Sequence, residues 1–206
     1  GQRAGEVFEK ALDTYLATVA DHGFNASTFT SRVVASTHAG LISSVLAGLC
    51  ALKGPLHGGA PGPVLDMLDE IGEASRAEAW FDDAFAKGTT LMGFGHRIYK
   101  VRDPRADVLK ATVATLPETA GRLAYASEVE KGAIAALRRH KPGRRLDTNV
   151  EYYTALLLEA LEIPREAFTA LFAVGRVAGW CAHVFEQVEG GRIIRPQSNY
   201  VGPRPN

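Results

Sequence analysis

Apolar side chains recur at helical spacing along almost the whole chain, and this pattern limits the fold more than any other feature. Between Glu6 and Asp21, for example, five apolar residues fall near one face of a helix: Val7, Ala11, Tyr15, Leu16 and Val19. No stretch shows the sustained alternation and hairpin turns that are typical of strands. The sequence therefore predicts an all-α fold with many helices.

Glycine, proline and capping residues indicate where these helices begin and end. Ser27 is a candidate cap for a helix that runs to about residue 52, and the small side chains of that segment favour a closely packed interior helix. The segment GPLHGGAPGP then interrupts the pattern. Further helices are predicted over these approximate ranges: 63–71, 75–88, from 104 onward, 122–140, 149–161 and 164–190.

The helices in the middle of the chain are flanked on both sides by more apolar ones. This arrangement predicts a small domain, residues 61–162, inserted into a larger domain. The larger domain would consist of helices in residues 1–60 and of a long C-terminal helix and tail in residues 163–206. The hinges would lie near the segments GPLHGG and EIPRE.

Composition argues against several classes of protein. Lys plus Arg and Asp plus Glu each number 23 among the 206 residues, so no overall field would attract nucleic acid or an anionic membrane. Hydrophobic residues make up 46%, which argues against disorder. We expect Cys50 and Cys181 to be buried thiols, and the apolar runs to be interrupted well short of a membrane span. In the absence of a recognisable signal peptide, we expect a cytoplasmic protein.

The glycine-rich turn KGPLHGGA holds the first candidate catalytic residue, His57. The glycines around it let the backbone approach a ligand closely. At a helix N-terminus the dipole disfavours imidazolium, so His57 would stay neutral and could donate a hydrogen bond to a developing enolate oxygen. A turn histidine without a chemical role fits the same local pattern.

A basic segment, LMGFGHRIYKVRDPR, follows the predicted helix that ends near residue 88. Gly93 and Gly95 would free backbone amides to face a ligand, while Lys100, Arg102 and Arg105 supply positive charge. Arginine pairs bidentately with carboxylate and phosphate, so a dianionic or phosphorylated ligand is expected. A solvated basic loop is the alternative.

Two charged residues stand in apolar surroundings. Glu151, in TNVEYY, lies among apolar and aromatic residues that can raise the pKa of a carboxyl, so that it accepts a proton near neutral pH. An ordinary first-turn glutamate is the alternative. Arg176, in LFAVGRVAGW, needs a bound anion or an internal salt bridge to balance its charge. No residue spacing predicts a metal site, and no motif supports a Ser or Cys nucleophile.

Six segments, in this order, resemble the citrate synthase family: DHGFNAST, KGPLHGGA, GFGHRIYKVRDPRA, NVEYY, FAVGRVAGW and RPQSNYVGP. The resemblance is to the shorter bacterial and archaeal type, which includes 2-methylcitrate synthases, and it covers residues 12–203. It implies a multi-helical homodimer whose large and small domains close over acetyl-CoA and oxaloacetate. Citrate would form through an enol intermediate without a cofactor or metal, and no nucleic-acid or membrane partner is implied.

The resemblance also implies roles for individual residues. His57 would stabilise the enol of the thioester, Glu151 would take the α-proton, and His96 would polarise the ketone of oxaloacetate. Oxaloacetate would be bound by His22, His96, Arg105, Arg176 and, from the other subunit, Arg195. Coenzyme A would contact Gly93, Phe94, Gly95, Lys100, Arg144 and Asn149.

Two features depart from the family pattern. The usual base of the family is aspartate, and the extra methylene of Glu151 moves the carboxylate by about one ångström, a misplacement that can lower a rate ~100-fold. A family subunit is also nearly twice as long, so its N-terminal part is expected to be missing here. Three interpretations stay open: citrate synthase, 2-methylcitrate synthase acting on propionyl-CoA, and a truncated, non-catalytic chain that only binds ligand or a partner subunit.

Overall fold

The computed structural model describes residues 5–54, 57–58, 61–95, 102–117, 119–144 and 146–203. Within these ranges the helices are α1 (Glu6–Val19), α2 (Ala26–Ala35), α3 (Leu41–Leu52), α4 (Pro61–Ile71), α5 (Ala77–Ala86), α6 (Pro104–Val113), α7 (Ala120–His140), α8 (Val150–Ala160) and α9 (Phe168–Gly190). Short 3-10 helices, Ala74–Arg76 and Arg165–Ala167, precede α5 and α9. The described residues form no strand beyond an isolated bridge between Phe94 and Thr148. The all-α prediction is confirmed.

The single helix predicted over residues 27–52 is wrong, because the chain turns between α2 and α3. His38 has a φ of 58° and Gly40 a φ of 91°, and a right-handed helix contains neither. The predicted cap is also wrong. Asn25 caps α2, since its side-chain oxygen accepts a first-turn backbone amide at 3.0 Å. Ser27 lies instead inside the first turn of α2 and is fully buried.

Two groups of helices pack together. α1, α2 and α3 contact α9, while α4 contacts α8, α5 contacts α7 and α6 contacts α8. α1 also contacts α6, and one continuous cluster of buried apolar residues runs through both groups. The N- and C-terminal helices therefore meet in space, with the α4–α8 segment between them in the chain. The domain boundaries drawn from the sequence stay a prediction.

Glycines allow α9 to approach its neighbours closely. A Cβ on Gly48 of α3 would lie 3.1 Å from the Trp180 ring, and one on Gly175 would lie 2.6 Å from the Val19 side chain. A Cβ on Gly179 would collide with the backbone carbonyl of Ala20. These contacts fix the distance between α9 and α1, and with it the positions of the side chains that α9 carries.

One face of α3 is exposed, although the sequence favoured an interior helix. Ile42, Leu46 and Leu49 are 79%, 55% and 38% exposed. The outer face of α9 is also apolar and exposed at Val174, Val177, Phe185 and Val188. Cys50 is exposed and Cys181 is partly exposed, so the prediction of two buried thiols is wrong. Small side chains on α3 permit close packing on one side only.

The span Arg165–Gly190, which includes α9, is long and apolar enough to cross a membrane by length and composition. The expectation that all apolar runs fall well short of such a span is therefore wrong. Its contacts are those of a core helix, because α9 packs against α1, α2 and α3. It also carries a buried charge, Arg176, near its middle.

Candidate active site

The glycine loop at residues 93–95 and the start of α8 form one hydrogen-bonded unit. The Gly95 amide donates to the Asp147 carbonyl at 2.7 Å, and the Asn149 amide donates to the Gly93 carbonyl at 3.0 Å. Gly93 and Gly95 have φ values of 85° and 84°, and a Cβ on Gly95 would lie 2.8 Å from the Leu146 side chain. The prediction that the Gly95 amide faces a ligand is wrong, because the protein itself already bonds it.

Glu151 lies in the first turn of α8 and is partly buried. Asn149 caps this helix: its Oδ1 accepts the Glu151 amide and its Nδ2 donates to the Gly95 carbonyl, both at 2.9 Å. Loss of hydration raises the pKa of Glu151 to about 7, although the guanidinium groups of Arg105 and Arg176 act in the opposite direction. This carboxyl can therefore accept and release a proton near neutral pH.

Arg105 is oriented by Asp103, the residue that caps α6. The Asp103 carboxylate accepts hydrogen bonds from Arg105 Nε at 3.0 Å and from Nη2 at 2.7 Å. The same carboxylate accepts the Val150 amide at 3.2 Å, and the Asp103 amide donates to the Thr148 carbonyl at 3.2 Å. One buried aspartate thus fixes Arg105 against the beginning of the helix that carries Glu151.

Arg176 projects from the middle of α9 and is only 2% exposed. Its Nε donates to the Val19 carbonyl at 2.6 Å, and its guanidinium carbon lies 4.9 Å from the centre of the Phe172 ring. Burial and the charge of Arg105 lower its pKa, and no salt bridge reaches it in the part of the chain that the structure describes. A buried cation without a direct acidic partner is expected where an anion binds.

His57 lies in the turn between α3 and α4, beside the first turn of α2. Its Nε2 is 2.8 Å from Ser27 Oγ and 3.3 Å from the Ser27 amide nitrogen. Ser27 Oγ also accepts a hydrogen bond from Trp180 Nε1 at 3.2 Å and lies 2.8 Å from Asn25 Oδ1. The next residue along the turn, Gly58, accepts a hydrogen bond from Thr169 at 3.0 Å. Contacts from α2 and α9 therefore hold the turn that carries this histidine.

The surroundings of His57 favour a neutral ring. Burial and the charge of Arg176 lower its pKa. The Ser27 amide can only donate, so Nε2 acts as its acceptor and the neutral ring carries its proton on Nδ1. The neutral ring of His57 can therefore offer an N–H donor, as the sequence predicted. The sequence attributed the neutral state to a helix dipole, whereas in the structure burial and the charge of Arg176 favour it.

A buried carboxylate, Glu130, joins three elements behind the site. It accepts hydrogen bonds from Thr148 at 2.6 Å, Tyr153 at 2.5 Å and Arg102 at 2.5 Å. Arg102 also bonds Asp107 at 2.6 Å. The expectation that Arg102 supplies charge to a ligand is therefore wrong, because both of its ion pairs are internal.

The remaining predicted residues are less closely gathered. His22 follows α1 and is partly buried; its neighbour Asp21 accepts hydrogen bonds from the Gly23 amide at 3.2 Å and from His183 at 3.1 Å. Arg195 is exposed in the C-terminal tail, and Arg144 is exposed after α7. The positions of these three residues do not test the roles that the resemblance implies for them.

His96 and Lys100 lie outside the described residues. Within the described ranges, no group of three or more histidine, cysteine, aspartate or glutamate side chains could hold a metal ion. Sequence reasoning missed Ser27, Trp180 and Glu130 as supports of the site. Ser27 lies in the segment DHGFNAST, so the sequence alone could have suggested it as a site residue. Trp180 could not be found in this way, because it is 153 positions away from Ser27 in the sequence.

Comparison with known proteins identifies the family of the chain. The family model for the citrate synthase C-terminal domain matches residues 1–197. The chain is 42% identical over 199 residues to citrate synthase 2 of Bacillus subtilis, covering 96% of this chain and 51% of that protein. It thus spans about half the length of the curated relatives it matches.

Solved structures share the fold. One is the ternary complex of citrate synthase from Thermoplasma acidophilum with carboxymethyl coenzyme A and oxaloacetate, with a TM-score of 0.88, 36% identity, and coverage of 100% of this chain and 55% of that one. Another is citryl-CoA lyase from Hydrogenobacter thermophilus, with a TM-score of 0.80, 26% identity, and coverage of 100% and 81%. The chain belongs to the citrate synthase family.

Proposed function

We propose that this chain carries the base and the oxaloacetate-binding arginines of a citrate synthase, which condenses acetyl-CoA with oxaloacetate and water to give citrate and coenzyme A. One observation carries the proposal: the Asp103 carboxylate bonds both Arg105 and the Val150 amide, and so holds this arginine against the first turn of the helix that carries Glu151. The charges of Arg105 and of the buried Arg176 both act on the Glu151 carboxyl, whose pKa burial raises to about 7. A neutral histidine, His57, is also close enough to Arg176 for that charge to lower its pKa. Together these residues supply a base, a hydrogen-bond donor to the enol oxygen and a binding site for a dianion.

The first step is removal of the α-proton of the thioester. Glu151 accepts this proton, and a carboxyl that titrates near pH 7 is better matched to the task than one near 4.5. The Nδ1–H group of His57 donates to the thioester oxygen as negative charge develops there. Asn149 caps the helix that carries Glu151 and so fixes the backbone from which this side chain extends.

The second step is attack of the enol carbon on the ketone. Arg105 and Arg176 bind the two carboxylates of oxaloacetate, together with His22, and His96 polarises the ketone oxygen. The dianion neutralises the buried Arg176, which has no salt bridge among the described residues. The citryl-CoA that forms is hydrolysed by water, which releases coenzyme A as a free thiol. No cofactor is required beyond the thioester itself.

Coenzyme A lies along the glycine loop in this proposal. Its contacts are Gly93, Phe94, Gly95, Lys100, Arg144 and Asn149. The Gly95 amide is excluded as a donor because Asp147 holds it, so contact there is made by other atoms of the loop. Acetyl-CoA and propionyl-CoA differ by one methylene, which a pocket distinguishes by only about 1–3 kcal/mol. A 2-methylcitrate synthase therefore stays a close alternative.

The active form is a cytoplasmic homodimer in which Arg195 of one subunit reaches the oxaloacetate of the other. The exposed apolar faces of α3 and α9 support this dimer, because an exposed apolar surface is typical of a protein–protein interface. The exposed position of Arg195 in the tail is compatible with contact to a neighbouring subunit. Sedimentation analysis tests this part directly.

Citryl-CoA lyase is a second candidate, supported by the coverage of 81% of the Hydrogenobacter thermophilus lyase. A lyase breaks the carbon–carbon bond of citryl-CoA, so that oxaloacetate and the enol of acetyl-CoA are formed. His57 would stabilise that enol, and protonated Glu151 would return a proton to its carbon. The same residues can thus serve formation or cleavage of the carbon–carbon bond. Only a synthase also hydrolyses the thioester of citryl-CoA.

Three assays on the chain separate these candidates. Oxaloacetate-dependent release of thiol from acetyl-CoA supports the synthase, and faster release from propionyl-CoA supports the 2-methylcitrate synthase. Formation of oxaloacetate from citryl-CoA without free thiol supports the lyase. Glu151→Gln should abolish all three reactions. If no reaction occurs but calorimetry detects oxaloacetate, the chain is a non-catalytic binder; if oxaloacetate does not bind either, the proposed site is wrong.

A further inference from the structure

The end of α1 and the residue that follows it lie against one face of α9. Arg176 of α9 donates to the Val19 carbonyl at 2.6 Å. About one turn further along α9, Gly179 leaves the space that the Ala20 carbonyl occupies, since a Cβ there would collide with it. A third contact lies about one more turn along the same face and involves the next residue of the segment.

This third contact joins His183 of α9 to Asp21. His183 is partly buried, and its Nε2 lies 3.1 Å from Asp21 Oδ1. The other oxygen of the same carboxylate accepts the Gly23 amide at 3.2 Å. His22 lies between these two residues in the chain, so the segment that carries it is attached to α9 through the Asp21 carboxylate.

Arg32 of α2 determines the direction of the hydrogen bond between His183 and Asp21. Its Nη1 lies 3.1 Å from His183 Nδ1. A guanidinium group can only donate, so Nδ1 is the acceptor, and Nε2 carries the ring proton and donates it to the Asp21 carboxylate. Arg32 is itself held by α9, because its Nε donates to Gln187 at 3.1 Å and its Nη1 forms an ion pair with Glu186.

Phe24 contacts the same histidine after the chain has passed His22. The rings of Phe24 and His183 meet edge to face, with centroids 6.2 Å apart and an angle of 83° between their planes. The guanidinium carbon of Arg32 lies 5.3 Å from the centre of the Phe24 ring. His183 therefore contacts the segment on both sides of His22, through Asp21 before it and Phe24 after it.

We propose that His183 is a positioning residue for oxaloacetate binding, because it holds the segment that carries His22. This role rests on the proposed function, in which His22 helps to bind oxaloacetate. α9 would then serve the site twice: Arg176 binds the anion directly, and His183, about two turns further along, positions a second binding residue from outside the site.

Calorimetry with oxaloacetate tests this role. His183→Ala should weaken binding about tenfold. His183→Gln should recover most of the affinity, because its amide offers both an acceptor for Arg32 and a donor for Asp21. His140→Ala is the matched control: His140 Nε2 lies 2.9 Å from Asp82 Oδ1 at the surface, so the loss of this contact should leave the affinity unchanged. Unchanged affinity in His183→Ala, or no recovery in His183→Gln, overturns the proposal.

A double-mutant cycle shows whether His183 acts through His22. His22→Ala removes the proposed contact with oxaloacetate. In that background His183→Ala should therefore weaken binding by less than about twofold, instead of about tenfold. A second loss of about tenfold would show that the two residues act independently, and it would refute a positioning role for His183.

Solvent exchange of the Gly23 amide separates this proposal from the proposed function. The amide donates to Asp21, so its exchange should be about fivefold faster in His183→Ala and unchanged in His140→Ala. If the parent chain binds no oxaloacetate, the proposed function is wrong and the binding role of His183 is refuted with it. Exchange at the parent rate in His183→Ala would instead show that His183 does not hold the segment, whether or not oxaloacetate binds.

Discussion

Replacing Glu151 by glutamine should stabilise the folded protein at alkaline pH while removing its base. The carboxyl has an ordinary pKa of 4.5, and in the folded protein burial raises the pKa to about 7. Between these pH values the folded state binds more protons than the unfolded state, so stability falls as the pH rises. Well above pH 7 Glu151 is ionised in both the folded and the unfolded protein, and stability falls no further.

The magnitude follows from this pKa difference. At about 1.4 kcal/mol per pKa unit, ionised Glu151 lowers the free energy of unfolding by up to about 3 kcal/mol at pH 8. Glutamine resembles the protonated carboxyl in shape and carries no charge. Glu151→Gln should therefore be more stable than the parent by up to about 3 kcal/mol at pH 8, and about equal to it at pH 4.5.

Urea unfolding at pH 4.5, 6 and 8 measures this effect, with Glu166→Gln as the matched control. Glu166 is exposed, so its replacement should change the free energy of unfolding by less than about 0.5 kcal/mol at each pH. If Glu151→Gln also gains less than about 0.5 kcal/mol at pH 8, the carboxyl is hydrated and its pKa is not raised by burial.

Three further substitutions test other parts of the structure. Arg176→Met should weaken oxaloacetate binding roughly 10- to 100-fold in calorimetry, since it removes charged hydrogen bonds, and should leave the melting temperature unchanged or higher; unchanged affinity would exclude an anion at this residue. Glu130→Gln should lower the free energy of unfolding by about 2–4 kcal/mol, because it leaves Arg102 and its neighbours without their shared carboxylate, and an unaltered urea midpoint would contradict this. Gly179→Ala should destabilise by about 1–3 kcal/mol, since its Cβ would meet the Ala20 carbonyl; a parent-like melting curve would show that α1 and α9 separate easily.

The local sequence pattern was sufficient to predict that the chain is helical, because helical hydrogen bonds and amphipathic spacing depend on residues that are close in sequence. It failed at the turn between α2 and α3, where apolar spacing continues across His38 and Gly40 and only their positive φ values interrupt the helix. It also placed the cap of α2 at Ser27, because serine and asparagine are both good caps and only the observed hydrogen bond identifies Asn25.

Charges in apolar segments indicated Glu151 and Arg176, because burying a charge is costly and needs a functional reason. Their mutual position could not be predicted, since it depends on contacts between distant segments. The same limit explains why the acceptor of the Gly95 amide, the Asp147 carbonyl, could not be predicted.

The measurement closest to the central claim is exchange of the methyl protons of acetyl-CoA with deuterium in D₂O, followed by NMR. Malate would occupy the oxaloacetate site, because it is a dicarboxylate of similar shape without the ketone that the enol attacks. The proposal predicts exchange that depends on the protein and is lost in Glu151→Gln but kept in Glu166→Gln. Exchange at the parent rate in Glu151→Gln would show that another group removes the proton.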